Sequence, residues 1–145
     1  MVRERVLGTR LDAMRRKELI EEALTRSVIG CFFDVYNTLK FGLLESLYSR
    51  ALELELVRRG HQVAREFGVR VSYKGTDLGV QRLDLVVDEK LVVEIKSTQE
   101  LHKAAVRQVY NYLRASNLEL GLLLHFGLEP KFYRVYAPND PKPTR

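Results

Sequence analysis

The tightest constraint on the fold is a pair of alternating runs joined by a short turn. Residues 81–88 read QRLDLVVD and residues 91–96 read LVVEIK, with only the turn around Glu89 between them. Side chains alternate across a strand. Leu83, Leu85 and Val87 therefore share one face, and Arg82, Asp84, Val86 and Asp88 the other. In the second run Leu91, Val93 and Ile95 oppose Val92, Glu94 and Lys96. So short a connection predicts an antiparallel hairpin. Centring the turn on Glu89 pairs Val87 with Leu91, Leu85 with Val93 and Leu83 with Ile95, apolar against apolar throughout. A slip of one residue would set each apolar side chain against a polar face.

That register predicts Asp84 directly opposite Glu94, with Lys96 two residues along and Arg82 across from it. Opposed residues have Cβ atoms about 5 Å apart, close enough for like charges to repel. Two carboxylates held this way want a cation between them. Val86 and Val92 make the same face partly apolar, and acids in such a setting need a partner or a metal. A ladder of surface ion pairs, Asp84 and Glu94 with Arg82 and Lys96, is the simpler reading of the hairpin alone. Glu-x-Lys by itself is common, arising by chance in about every second chain of this length.

The rest of the chain predicts helices around these strands. Residues 11–39 read as a helix that can break near Thr25 to Ser27, residues 40–42 as a turn, and residues 43–59 as a second helix stopped by Gly60. Val69, Val71 and Tyr73 alternate as a strand, and residues 74–79 turn the chain. Ser97-Thr98-Gln99-Glu100 has the form of a capping box opening a helix to about Ala115. Residues 118–126 are nearly all apolar, as in a strand buried on both faces, and residues 132–136 form a last strand. The predicted order is ααβββαββ. The chain has 145 residues, 46% of them hydrophobic and 30% charged, which suits one domain with one core. The expected division is an N-terminal helical extension over 1–26, a core over 27–137 and a flexible tail over 138–145.

Cys31 is the one cysteine, so no intramolecular disulfide can form, and its apolar setting predicts an inert buried thiol. His61, His102 and His125 show no ligand spacing, which argues against zinc. No apolar run reaches the length of a signal peptide core or a membrane span, so a cytoplasmic location and no membrane partner are expected. The net charge of +5 weakly favours polyanionic partners.

Asp84 followed by Glu94-Ile95-Lys96, on neighbouring strands ahead of a helix, resembles the PD-(D/E)XK nuclease core. Gly42-Leu43-Leu44-Glu45-Ser46-Leu47-Tyr48 fits the Gly-x-x-Glu-x-x-Tyr motif of the GxxExxY proteins within that superfamily. The likeness extends over residues 29–136 and includes Tyr73-Lys74-Gly75, Arg82-Leu83-Asp84 and the segment Gln108-Val109-Tyr110-Asn111-Tyr112-Leu113. It departs at Lys40-Phe41, where the family often has Gly-Pro, and at Tyr36 and Asn37, where it often has His and Lys. The resemblance implies an α/β restriction-endonuclease-like fold, a mixed sheet flanked by helices. It also implies a nuclease that cuts phosphodiester bonds with Mg²⁺ or Mn²⁺. By the same resemblance Asp84, Glu94 and the Ile95 carbonyl hold the metal, Glu45 completes the site directly or through water, and Lys96 assists the attacking water. Gln108 and Tyr112 fit the Gln-x-x-x-Tyr pattern of RecB-like nucleases. Gln108 is thus a candidate catalytic residue, and Arg82 and Tyr112 are candidate nucleic-acid contacts. The expected partner is nucleic acid, DNA first and RNA second, with a homodimer as one candidate assembly. The alternatives are a module on the same fold that binds nucleic acid without cutting it, or one that binds protein.

Overall fold

The computed structural model of the chain describes residues 2–65 and 68–138, with side chains from Asp12 onward. Two helices come first, α1 (Val2–Leu39) and α2 (Glu45–Arg58). Five strands follow: β1 (Val63–Arg65), β2 (Gly68–Tyr73), β3 (Thr76–Arg82), β4 (Leu85–Val87) and β5 (Leu91–Lys96). Helix α3 (Ala104–Ala115) then leads to β6 (Leu120–Phe126) and β7 (Pro130–Tyr136). Among the described residues no helix is long and apolar enough to cross a membrane. Of the tail expected over 138–145, all but Pro138 lies outside the described residues.

Five strands form one mixed sheet in the order β1-β4-β5-β6-β7, and β2 and β3 form a separate two-stranded ribbon. Strands β5 and β6 are parallel, and α3 supplies the crossover such a pair needs. Helices α1 and α2 cover one face of the sheet. Phe32, Tyr48, Leu52 and Leu56 pack there against Leu85, Val87, Leu91, Val93 and Ile95. Helix α3 covers the other face, where Ala105, Val109, Tyr112 and Leu113 meet Val86, Val92, Leu123 and Val135. A central strand buried on both sides needs apolar residues at successive positions, which is why β6 lacks alternation.

The hairpin register is the expected one, with Val87 paired to Leu91 and Leu85 to Val93. The strand that carries it is shorter than residues 81–88. Residues 76–82 belong to the ribbon, where Arg82 pairs with Gly68 rather than facing Lys96. Between ribbon and sheet the chain twists at Leu83 and Asp84, and Leu83 packs on the α3 side, away from Leu85 and Val87. Alternation within one run could not reveal a strand shared by two sheets. The turn expected over 74–79 is also tighter. Lys74 and Gly75 alone make it, at φ 48° and 82°, as a two-residue hairpin turn requires.

Helix α1 runs unbroken through Thr25, whose hydroxyl donates to the Glu21 carbonyl one turn back at 2.8 Å. The capping box at residues 97–100 does not form. Ser97 Oγ donates instead to the Leu43 carbonyl at 2.6 Å and Thr98 Oγ1 to that of Glu100 at 2.7 Å, so α3 starts later, at Ala104. Cys31 is buried, and burial pushes its thiol up to about 11, which keeps it unreactive.

Candidate active site

The ladder between β4 and β5 ends at Leu85 and Val93, one pair short of Asp84. The Asp84 side chain bridges the gap, with Oδ2 accepting a hydrogen bond from the Ile95 amide at 2.7 Å. This bond replaces the missing ladder contact and fixes the carboxylate beside Glu94. Glu94 is close enough to Asp84 to feel its charge. Lys96 Nζ sits 3.6 Å from Glu94 Oε1. Asp84, Glu94 and Lys96 are all half-buried at the end of the sheet.

This environment resists ionisation of Glu94. Burial first, and the neighbouring Asp84 charge second, push its carboxyl from 4.5 up to about 8, against the pull of Lys96. Tyr112 lies nearby: it is fully buried, and its own pKa is raised by burial and then by the Glu94 charge. Tyr112 is therefore a wall of the site, and its burial removes it from any surface that a nucleic acid could touch. At neutral pH Glu94 thus favours its protonated form unless a cation takes the proton's place.

The Gly-x-x-Glu-x-x-Tyr segment has a clear local logic. Gly42 takes φ 116°, a left-handed conformation that a side chain would strain, so the chain can turn from α1 into α2. The Tyr48 hydroxyl donates to the Lys40 carbonyl and accepts the Leu43 amide, so it staples this turn, while its ring stacks on Phe126 at 4.0 Å. Ser97, directly after Lys96, grips the same turn through the Leu43 carbonyl. Glu45, the first residue of α2, is thereby held at the end of the sheet where β5 ends. It is exposed and does not join the acid pair. Among the described residues, no three His, Cys, Asp or Glu side chains stand together within reach of one metal ion. Gln108 is likewise exposed on α3, so it has no buried hydrogen bond to satisfy. Arg82 is exposed on the ribbon, two residues before Asp84.

His125, which shows no ligand spacing in the sequence, is a buried, hydrogen-bonded histidine near the site. It pairs with Lys96 across the parallel β5–β6 ladder. Its Nε2 donates to the Thr98 carbonyl at 2.8 Å and so anchors the loop after Lys96. It is the polar side chain in the otherwise apolar run LGLLLHF.

The fold and the acid pair define a class, and the comparisons agree with it. The model of the PD-(D/E)XK nuclease superfamily matches residues 22–135. The chain belongs to the PD-(D/E)XK nuclease superfamily. It is also similar to the crystal structure of SSO0001, with a TM-score of 0.52 and 19% identity, over 64% of this chain and 50% of that one. This likeness concerns the fold alone, and the chain spans half the length of that protein. No protein of curated function matches the chain.

Proposed function

We propose that the chain is a metal-dependent nuclease that hydrolyses phosphodiester bonds, of DNA in the first instance and of RNA in the second. The observation that carries this reading is the Asp84–Glu94 pair. Two acids are kept together, partly out of water, where one of them cannot ionise easily without a cation. The donor set fits Mg²⁺ or Mn²⁺. It is all oxygen, and Mg²⁺ is commonly bound through one or two carboxylates with water and substrate phosphate filling the remaining positions. Asp84 and Glu94 would hold the ion, with the Ile95 carbonyl as a neutral third donor.

When bound there, the metal supplies a water of lowered pKa and positive charge for the phosphate. Lys96 holds its ammonium group beside Glu94, where it can orient the attacking water and offset charge building on the phosphate. Glu45, held at the same end of the sheet by the Gly42–Tyr48 turn, would act through water rather than as a direct ligand. Gln108, on the exposed side of α3, would contact the same water or the phosphate. The local logic of Gly42, Glu45 and Tyr48 supports placing the chain among the GxxExxY proteins. Exposure of Glu45 outside the pair favours one second reading, a domain that binds nucleic acid without cutting it. The test is cleavage of labelled single-stranded, double-stranded and branched DNA, and of RNA, with Mg²⁺ or Mn²⁺. Asp84→Ala and Lys96→Ala should each abolish cutting. Cutting that survives both changes contradicts the mechanism.

A further inference from the structure

Charge is distributed unevenly between the two layers that cover the sheet. Residues 101–118, which contain α3, hold Lys103, Arg107 and Arg114 and no acid. The ribbon over residues 68–82 holds Arg70, Lys74 and Arg82 against Asp77 alone. Six basic residues against one acid make five net charges, equal to the whole +5 of the chain. The remaining residues hold 18 basic and 18 acidic side chains and are neutral. The two segments are neighbours, because Val69 of the ribbon packs into the same cluster as Val109 and Tyr112 of α3. They lie on the side of the sheet that carries Glu94, beside Tyr112.

The α3 part is ordered for contact. Lys103, Arg107, Tyr110 and Arg114 recur at spacings of four, three and four, a single stripe opposite the buried Ala105, Val109 and Tyr112. The guanidinium groups of Arg107 and Arg114 lie 5.0 and 5.9 Å from the Tyr110 ring centre. They are thus held against the aromatic ring, and among the described residues neither forms an ion pair with a carboxylate. On the ribbon, Lys74 lies over the exposed Tyr73 ring at 5.3 Å. Strand β3 is solvent-exposed along nearly its whole length and leads, two residues after Arg82, into Asp84.

We propose that α3 and the β2–β3 ribbon form the track on which the phosphodiester backbone of a nucleic acid lies as it approaches Asp84. A second copy of the chain is a poorer occupant, because a symmetric contact would set this basic face against itself. The proposal takes its destination, though not its binding chemistry, from the nuclease reading above. Arginine and lysine spaced along a face match phosphates, and arginines stacked on tyrosine suit backbone and base contacts without sequence choice.

The test is binding in EDTA, where no cutting occurs, so its outcome is separate from that of the cleavage assay. Fluorescence anisotropy of a labelled duplex and of its single strand compares two triple variants of equal net charge. Lys74→Gln/Lys103→Gln/Arg107→Gln strips the track, and Arg26→Gln/Arg50→Gln/Arg58→Gln strips the α1–α2 layer. Circular dichroism checks that both are folded. The track variant should bind about tenfold or more weakly near 0.1 M salt. Its slope of log K against log salt on the duplex should fall by about 0.9 for each phosphate contact removed. The control variant should stay close to wild type. Equal losses in both variants, no loss in either, or a change in the protein's own sedimentation mass caused by the track variant alone would overturn the proposal.

Discussion

Acids stand at both ends of the β4–β5 hairpin, and they are treated in opposite ways. At the turn, Asp88 receives His61 Nδ1 at 2.7 Å and the Gln62 amide at 2.8 Å. Burial pushes its carboxyl up, but the His61 bond, the Gln62 amide and the charges of His61 and Lys90 outweigh that and hold it below its usual value. His61 is placed by a left-handed helix stop. Gly60 takes φ 89°, its amide returns to Val57 at 3.0 Å, and the His61 amide returns to Leu56 at 3.1 Å. Ser27 Oγ lies 2.7 Å from His61 Nε2 and completes a chain from α1 to the turn. This array has the bond pattern of an acyl-transfer triad. Ser27, however, lies inside α1, where the backbone amides are spent on the helix and leave no donors for an oxyanion. Its role is to tie α1, the end of α2 and the hairpin turn, where Asp88 and Glu89 adopt φ 52° and 59°.

At the open end Glu94 faces another acid and is pushed up to about 8. An acid that holds a fold is saturated with donors. An acid that the fold holds against its own preference signals a function. Four experiments can break or sharpen that contrast. The largest effect should fall on cutting. Asp84→Ala or Lys96→Ala should lower metal-dependent cleavage by at least about 10²- to 10³-fold. Asp88→Ala, measured below its melting temperature, should leave cleavage within a few-fold of wild type.

Stability should respond the other way. Asp88→Ala should cost about 1–3 kcal/mol in urea denaturation, because it strips a half-buried histidine and an amide of their acceptor. Since the Asp88 pKa is lowered on folding, its contribution is present above the ordinary carboxylate range and should fade as pH drops through the folded value. Glu94 has the reverse sign. Its raised pKa favours the protonated folded state below about 4.5, and that advantage is lost as pH rises toward 8. Without metal, Glu94→Gln should therefore gain in stability on wild type as pH rises from 4.5 to 8, with the gain largest at the upper end. The smallest effect is expected of Ser27→Ala, about 0.5–1.5 kcal/mol in urea with cleavage unchanged.

The register of the hairpin was legible because one face had to match apolar with apolar, and only one alignment does so for Leu85, Val87, Leu91 and Val93. The end of α3 at Ala115 and the both-sided burial of β6 followed from composition in the same way. The break at Leu83 was not legible, since it depends on where the ribbon leaves the sheet. Strand β1 was missed because its three residues, with Ala64 and Arg65 exposed, carry no pattern of their own. The false capping box shows a limit of local motifs, since Ser97 found a better partner 54 residues away at Leu43. At the site, Asp84 lies beside Glu94 and Lys96, but it does so through its bond to the Ile95 amide beyond the end of the ladder and not through strand alternation. Glu45 and Gln108 took their roles from family resemblance and Arg82 its place from the hairpin register, and the exposure of all three depends on helix and ribbon placement that no spacing encodes.

The central claim is that Asp84 and Glu94 form a cation site. Calorimetric titration of the protein with Mn²⁺ at pH 7, in two buffers of different ionisation heat, tests it most directly. Wild type should bind the ion and release protons, because Glu94 is largely protonated there and must give up its proton. Glu94→Gln should bind at least about tenfold more weakly and release none. Failure of wild type to bind Mn²⁺, or equal binding by both proteins with no proton release, would contradict the account.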